Sequence, residues 1–205
     1  MAYYHDLVTE KSWEELKKLS KSIDLLLIGG WAVYLYTKAL KSKDIDILIE
    51  YSELIKLKKD YELNKNERLL KYEARREEIQ IDIYLPHYSN IGIPIEDLIK
   101  QKISLEGFMV IKKEYLIALK LFTLKERGRT PKGKKDFLDL LSLFLTDDID
   151  IKQIYILTNK YKLGSSTSFF EEMLNEYVEV PEIGLNKHLF KKLKVKILKS
   201  LVKST

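Results

Sequence analysis

The chain has 205 residues, 45% of them hydrophobic and 33% charged, which suits one globular domain or two small ones and excludes a disordered chain. It contains no cysteine, which excludes disulfides, thiolate zinc sites and a cysteine nucleophile. A net charge of +5 is compatible with a polyanionic partner without requiring one. No apolar run reaches the ~18 residues of a membrane span, and no basic stretch leads into an apolar one at the start, so a cytoplasmic protein without membrane contact is expected.

In chain order, Trp13, Leu16 and Leu19 recur at helical spacing, with Thr9 or Ser12 as the cap of a first helix. Residues 23–28 form a short apolar run closed by Gly29-Gly30, the pattern of a buried strand ending in a tight turn. A helix is expected straight off the glycines, over 31–38. A second strand covers 45–49, and a helix capped by Ser52 covers 51–61. Residues 69–73 and 79–85 read as two more strands joined by a charged turn at 74–77. The second alternates, with Ile79, Ile81 and Ile83 on one face and Gln80, Asp82 and Tyr84 on the other. Pro86 and Pro94 bracket a loop, and 108–111 is a last strand after the Glu106-Gly107 turn. From about residue 114 the pattern is helical: 114–127, 135–145, 151–161, 168–177 and 184–203, with a basic loop at 127–134. The expected class is α/β (α+β), a small mixed-sheet core over 1–112 followed by a helical bundle over 113–205.

Two features in the first half carry chemistry. Small residues at a strand end let the backbone approach phosphates, and a following helix start points free N–H groups at them. Gly29-Gly30 has that arrangement. Residues i and i+2 of a strand share a side, so Asp44 and Asp46 turn together while Ile45 and Ile47 face the core. A third carboxylate on a neighbouring strand, Asp82, completes a set whose mutual repulsion a cation would relieve. Oxygen donors of this kind favour Mg2+ or Mn2+.

These motifs resemble those of the nucleotidyltransferases of the DNA polymerase beta superfamily. Leu27-Ile28-Gly29-Gly30, thirteen residues, then Asp44-Ile45-Asp46 in an apolar strand is similar to that family's pattern, and Asp82 stands where its third Asp falls. The resemblance continues through Leu116-Ile117-Ala118-Leu119-Lys120-Leu121 and Lys135-Asp136-Phe137-Leu138-Asp139-Leu140. These look like the tail of the minimal nucleotidyltransferases, including the toxins of abortive-infection toxin–antitoxin systems. It covers roughly 23–145 and implies a catalytic, metal-binding set of Asp44, Asp46 and Asp82. It further implies nucleotide contacts from Gly29, Gly30, Ser42, Lys43 and Lys120, with Asp136 or Asp139 completing the pocket. The chain departs from the family at Leu40, where an arginine is usual; Ser42 keeps the hydroxyl, and Lys41 or Lys43 stands in for the charge.

Each signal has a plainer reading. Asp-x-Asp alone is commonly a solvated strand end, Asp82 a polar residue on an exposed face, and Lys120 a solvated lysine. Asp136 and Asp139 are also simple favourable charges in a helix's first turn. Residues 128–135 have P-loop spacing, but Lys135 replaces the Ser or Thr, and a helix precedes them, so a solvated or phosphate-touching basic loop is expected instead. The Asp147–Asp150 cluster reads as a helix cap. His5, His87 and His188 show no ligand spacing. From Gly184 onward there are seven lysines and no acid, with Leu185, Leu189, Leu193, Ile197 and Leu201 every four residues beside Phe190 and Leu198. That is a packed basic helix or a surface for RNA or an antitoxin. The expected function is a metal-dependent transfer of a nucleoside monophosphate from a nucleoside triphosphate to an acceptor, which in such a fold is a tRNA 3′ end or other RNA, a protein side chain or a small molecule such as an aminoglycoside; the lysine-rich segments favour RNA, in a toxin–antitoxin setting with a cognate antitoxin. The alternative is a non-catalytic module of the same fold that binds nucleic acid or a protein partner. A magnesium-dependent nuclease or phosphatase fits less well, since a hydrolase needs no triphosphate seat.

Overall fold

The computed structural model describes the backbone of residues 2–202 and the side chains of residues 7–199 and 201, so the His5 side chain lies outside the described residues. The chain divides into two compact units, Met1–Lys112 and Lys113–Thr205.

The first unit holds seven strands: β1 (Leu26–Ile28), β2 (Ile45–Leu48), β3 (Leu63–Asn66), β4 (Lys71–Arg76), β5 (Ile79–Tyr84), β6 (Lys102–Leu105) and β7 (Phe108–Ile111). They form one mixed sheet in the order β3-β4-β5-β2-β1-β7-β6. At its centre β1 runs antiparallel to β2 and parallel to β7, and β2 runs parallel to β5. The fold class is the expected one. Alternation makes the core: Leu27, Ile45, Ile47, Ile81, Ile83 and Val110 are fully buried and pair across strands as Leu27 with Ile47 and Val110, Ile45 with Ile81, and Ile47 with Ile83.

Helices α1 (Ala2–Ser22), α2 (Gly29–Thr37), α3 (Tyr51–Leu57) and α4 (Ile95–Leu98) complete this unit. Thr9 and Ser12 do not cap α1. The helix runs through them, both are buried, and the Ser12 hydroxyl accepts the Trp31 indole N–H at 2.9 Å. Helix α3 stops four residues short of the expected end, in a turn over 58–61.

Two strands are not evident in the sequence. β3 and β6 are edge strands with largely exposed side chains, so neither carries an apolar run. Leu69 and Leu70, expected in a strand, lie exposed in the β3–β4 turn. Leu70 has φ 48, and the Leu69 N–H donates to the Asn66 side chain. The strand begins at Lys71 and continues to Arg76, so the turn to β5 is only Glu77-Glu78. Between β6 and β7, Glu106 and Gly107 both have positive φ, the backbone of a tight two-residue hairpin.

The second unit is helical: α5 (Lys113–Arg127), α6 (Pro131–Leu145), α7 (Ile151–Lys160), α8 (Gly164–Glu176) and α9 (Lys187–Val202). α6 starts four residues before its expected beginning, with Pro131 in its first turn and the Thr130 hydroxyl accepting the Gly133 N–H. The segment with P-loop spacing is therefore a tight connection between helices. A Cβ at Gly133 would stand 1.8 Å from the Gly128 carbonyl oxygen, so chain crossing accounts for that glycine. Asp150 caps α7 by accepting from the Gln153 N–H, while Asp148 pairs with Lys113. At the centre Phe170 stacks on Phe144 and meets Phe137 edge to face. On α9 the buried seam is Phe190, Leu193 and Ile197. Leu189 is 45% exposed, because a spacing of four drifts around a helix of 3.6 residues per turn. No described helix is long and apolar enough to cross a membrane.

Candidate functional site

The first glycine explains its own identity. Gly29 has φ +68, and a Cβ there would lie 2.1 Å from the Asp46 carboxylate Oδ2. Register accounts for the contact: Asp46 pairs with Ile28, the last residue of β1, so its side chain stands over the point where the chain turns into α2. Only a residue without a side chain leaves room for it. Gly30 is buried in the first turn of α2. Trp31 follows at 1% exposure, packed on Trp13 with ring centroids 4.9 Å apart, which fixes the helix start against α1.

Asp46 and Asp82 are register partners on the parallel strands β2 and β5. Asp44 stands one residue before β2, half-buried. Ser42 is buried and Lys43 half-buried in the same incoming segment. The structure thus brings Gly29, Asp46 and Asp82 together, with Asp44, Ser42 and Lys43 on the approach. A cleft of about 400 Å³ on the α1–α2 side is lined by Trp13, Trp31, Tyr34, Lys38 and Lys41 among others, but not by Asp44, Asp46 or Asp82.

Asp82 has partners within the fold. Lys71 Nζ, on β4, donates to its Oδ2 at 2.6 Å, and the Gln80 side-chain amide donates to its Oδ1 at 2.8 Å. Lys71 also meets Glu73 at 3.1 Å, and Glu73 accepts from Asn66 at 2.9 Å. Burial opposes the Lys71 charge, but hydrogen bonding and attraction to Asp82, then to Glu73, outweigh it and raise its pKa. Among the described residues, no three acidic or histidine side chains converge closely enough to hold an ion between them. Asp46 over the Gly29 turn, with Asp44 two residues before it on the strand's approach, offers hard oxygen donors of the kind a magnesium-type cation takes. At Asp82 a cation would have to share the carboxylate with an ammonium.

Within the second unit, Lys120, Asp136 and Asp139 form a buried cluster. Lys120 Nζ lies 2.7 Å from Asp136 Oδ1 and 2.7 Å from Asp139 Oδ2, and Arg127 reaches Asp136 Oδ2 at 2.8 Å. The Asp139 contact is out of line for a hydrogen bond, so its two oxygens are buried without one. Burial alone would raise the Asp136 pKa; Lys120 and then Arg127 overcome this and lower it. Lys120 is likewise raised against its burial by Asp139 and Asp136. His87 sits exposed in a loop beside Glu96.

Lys71, Gln80, Glu73 and Arg127 escaped the reading of the sequence. The available signal was the alternation Lys71, Glu73, Arg75. Once the turn is placed at Glu77-Glu78, Glu73 stands opposite Asp82 and Lys71 lies on the diagonal, within reach of a long side chain.

No protein-family model matches the chain, and no curated protein does. Solved structures do share the fold. JHP933 from Helicobacter pylori superposes with a TM-score of 0.57 at 17% identity, over 95% of this chain and 92% of that one. A provisionally named nucleotidyltransferase from H. pylori gives 0.57 at 16% identity over 96% and 95%. An antigenic nucleotidyltransferase-like protein from Paracoccidioides brasiliensis gives 0.53 at 14% over 97% and 95%.

Proposed function

We propose that this chain is a metal-dependent nucleotidyltransferase that moves a nucleoside monophosphate from a nucleoside triphosphate to an acceptor, with release of pyrophosphate. One observation carries the reading. The Asp46 carboxylate rests on Gly29 at the end of β1, so the glycine turn and the Asp-x-Asp strand meet in space, and Asp82 lies on the next strand. Carboxylates gathered at a backbone cradle suit a triphosphate with its cation, and similarity of fold to proteins named as nucleotidyltransferases supports the same conclusion.

In this reading Asp44 and Asp46 hold a Mg2+ or Mn2+ ion, which when bound neutralises charge on the triphosphate. Gly29 and Gly30 leave the backbone open to the phosphates, and Ser42 and Lys43 contribute from the segment before β2. Asp82 faces the acceptor. The resemblance also assigns Lys120, Asp136 and Asp139 to the nucleotide, whereas within the second unit they are buried and engaged with one another. The acceptor is a tRNA or a protein, in a toxin–antitoxin setting with a cognate antitoxin, and the reaction is cytoplasmic, where triphosphates and tRNA are at hand.

The test is calorimetric titration with ATP, GTP, CTP and UTP, with and without magnesium, alongside Asp46→Asn. At least one nucleotide is expected to bind only with magnesium, and the variant to lose that binding tenfold or more. Radiolabel from that nucleotide then reports transfer to total tRNA or to protein. Folded protein that binds none of the four would sink this reading in favour of a non-catalytic module, with the lysines of α9 as the surface to probe.

A further inference from the structure

Asp82 carries the second inference, which rests on the nucleotidyltransferase reading of the same site. Both of its carboxylate oxygens already accept hydrogen bonds from the protein, Oδ2 from the Lys71 ammonium at 2.6 Å and Oδ1 from the Gln80 amide at 2.8 Å. The ammonium is no loosely held surface charge. Lys71 is 6% exposed, its second partner Glu73 lies 3.1 Å away, and Glu73 is itself held by Asn66. The hairpin register builds this network, because Glu73 pairs with Asp82 across β4 and β5, and Lys71 lies one diagonal step from it. Displacing the lysine from Asp82 would leave a buried ammonium with Glu73 alone, which a fold resists.

We propose that Lys71 supplies, from within the fold, the positive charge that a second metal ion would otherwise bring to Asp82, so that this chain takes up one divalent ion, on Asp44 and Asp46, and not two. Lys71 is then a positioning residue. It acts through Asp82, holding that carboxylate oriented and its charge balanced next to Asp46.

Bound metal can be counted directly. Mn2+ alone is titrated into the full chain and followed by electron paramagnetic resonance, which reports bound ions per chain. Two ions held about 3.5–4 Å apart give a spin-coupled signal that a single ion lacks. The expected result is about one uncoupled ion per chain in the wild type. Asp46→Asn is expected to abolish it, Asp82→Asn and Lys71→Arg to keep it, and Lys71→Met to admit a second, coupled ion. A coupled pair in the wild type, loss of an ion in Asp82→Asn, or a single ion in folded Lys71→Met would each overturn the proposal while leaving the nucleotidyltransferase reading intact. No Mn2+ binding in either wild type or Asp46→Asn would remove the metal site and both conclusions with it. Should Lys71→Met fail to fold, the comparison of wild type with the near-isosteric Asp82→Asn decides the matter alone.

Discussion

Gly29 shows how far one residue can be read and where reading stops. A glycine pair at the end of an apolar run announces a tight turn, and φ +68 confirms the need for it. Nothing in the run announces that the Asp46 carboxylate lies against the same Cα, since that contact is made by pairing two strands. The double constraint gives a prediction. Gly29→Ala places a methyl 2.1 Å from Asp46 Oδ2 and forces an L-residue into the left-handed region, which costs about 1–2 kcal/mol by itself. Urea denaturation is expected to register a loss of at least that size. Magnesium-dependent nucleotide affinity is expected to fall tenfold or more, because the carboxylate must move. Affinity equal to wild type would show that the position of Asp46 over the turn is not required.

At the scale of elements, local chemistry and burial leave different traces. Strands whose side chains alternate between core and surface, such as β5, were legible because Ile79, Ile81 and Ile83 repeat with period two. The edge strands β3 and β6 were not, because a ladder on one side needs no apolar face and their residues are mostly polar. Caps sort by the same logic. Asp150 was readable as the start of α7, since a side-chain oxygen ahead of a periodic run is a local signal. Thr9 and Ser12 carried the same signal but lie inside α1, where Trp31 takes the Ser12 hydroxyl. Removing the genuine cap, in Asp150→Ala, is expected to lower unfolding free energy by about 1 kcal/mol and Asp150→Ser to restore most of it. Equal urea midpoints for wild type and Asp150→Ala would exclude a capping role.

For the folded molecule the Lys120 cluster sets a pH window. The Asp136 pKa is lowered in the fold, so its contribution is present above the unfolded value of about 3.9 and is lost as pH falls through the folded one. The Lys120 pKa is raised, so its contribution is present below the unfolded value of about 10.4 and is lost as pH rises through the folded one. Stability from this cluster should therefore be flat between those two values and decline outside them. Urea midpoints measured across pH check this, and Asp136→Asn is expected to flatten the acid limb. Lys120→Met leaves two buried carboxylates against Arg127 alone and is expected to cost about 3–5 kcal/mol.

What the sequence determined by itself was whatever depends on neighbours along the chain. The buried strands, the glycine turn, the cap of α7, the helical character of the second half and the resemblance carried by the Asp-x-Asp motif all arise from periodicity and spacing within a dozen or so residues. Only the tertiary structure decided which side chains meet across strands and helices: Asp46 on Gly29, Lys71 on Asp82, and Lys120 between Asp136 and Asp139. Those contacts depend on register, and for Lys71 on the length of a two-residue turn: one residue more in that turn would shift β4 by one against β5 and send Lys71 to the other face of the sheet.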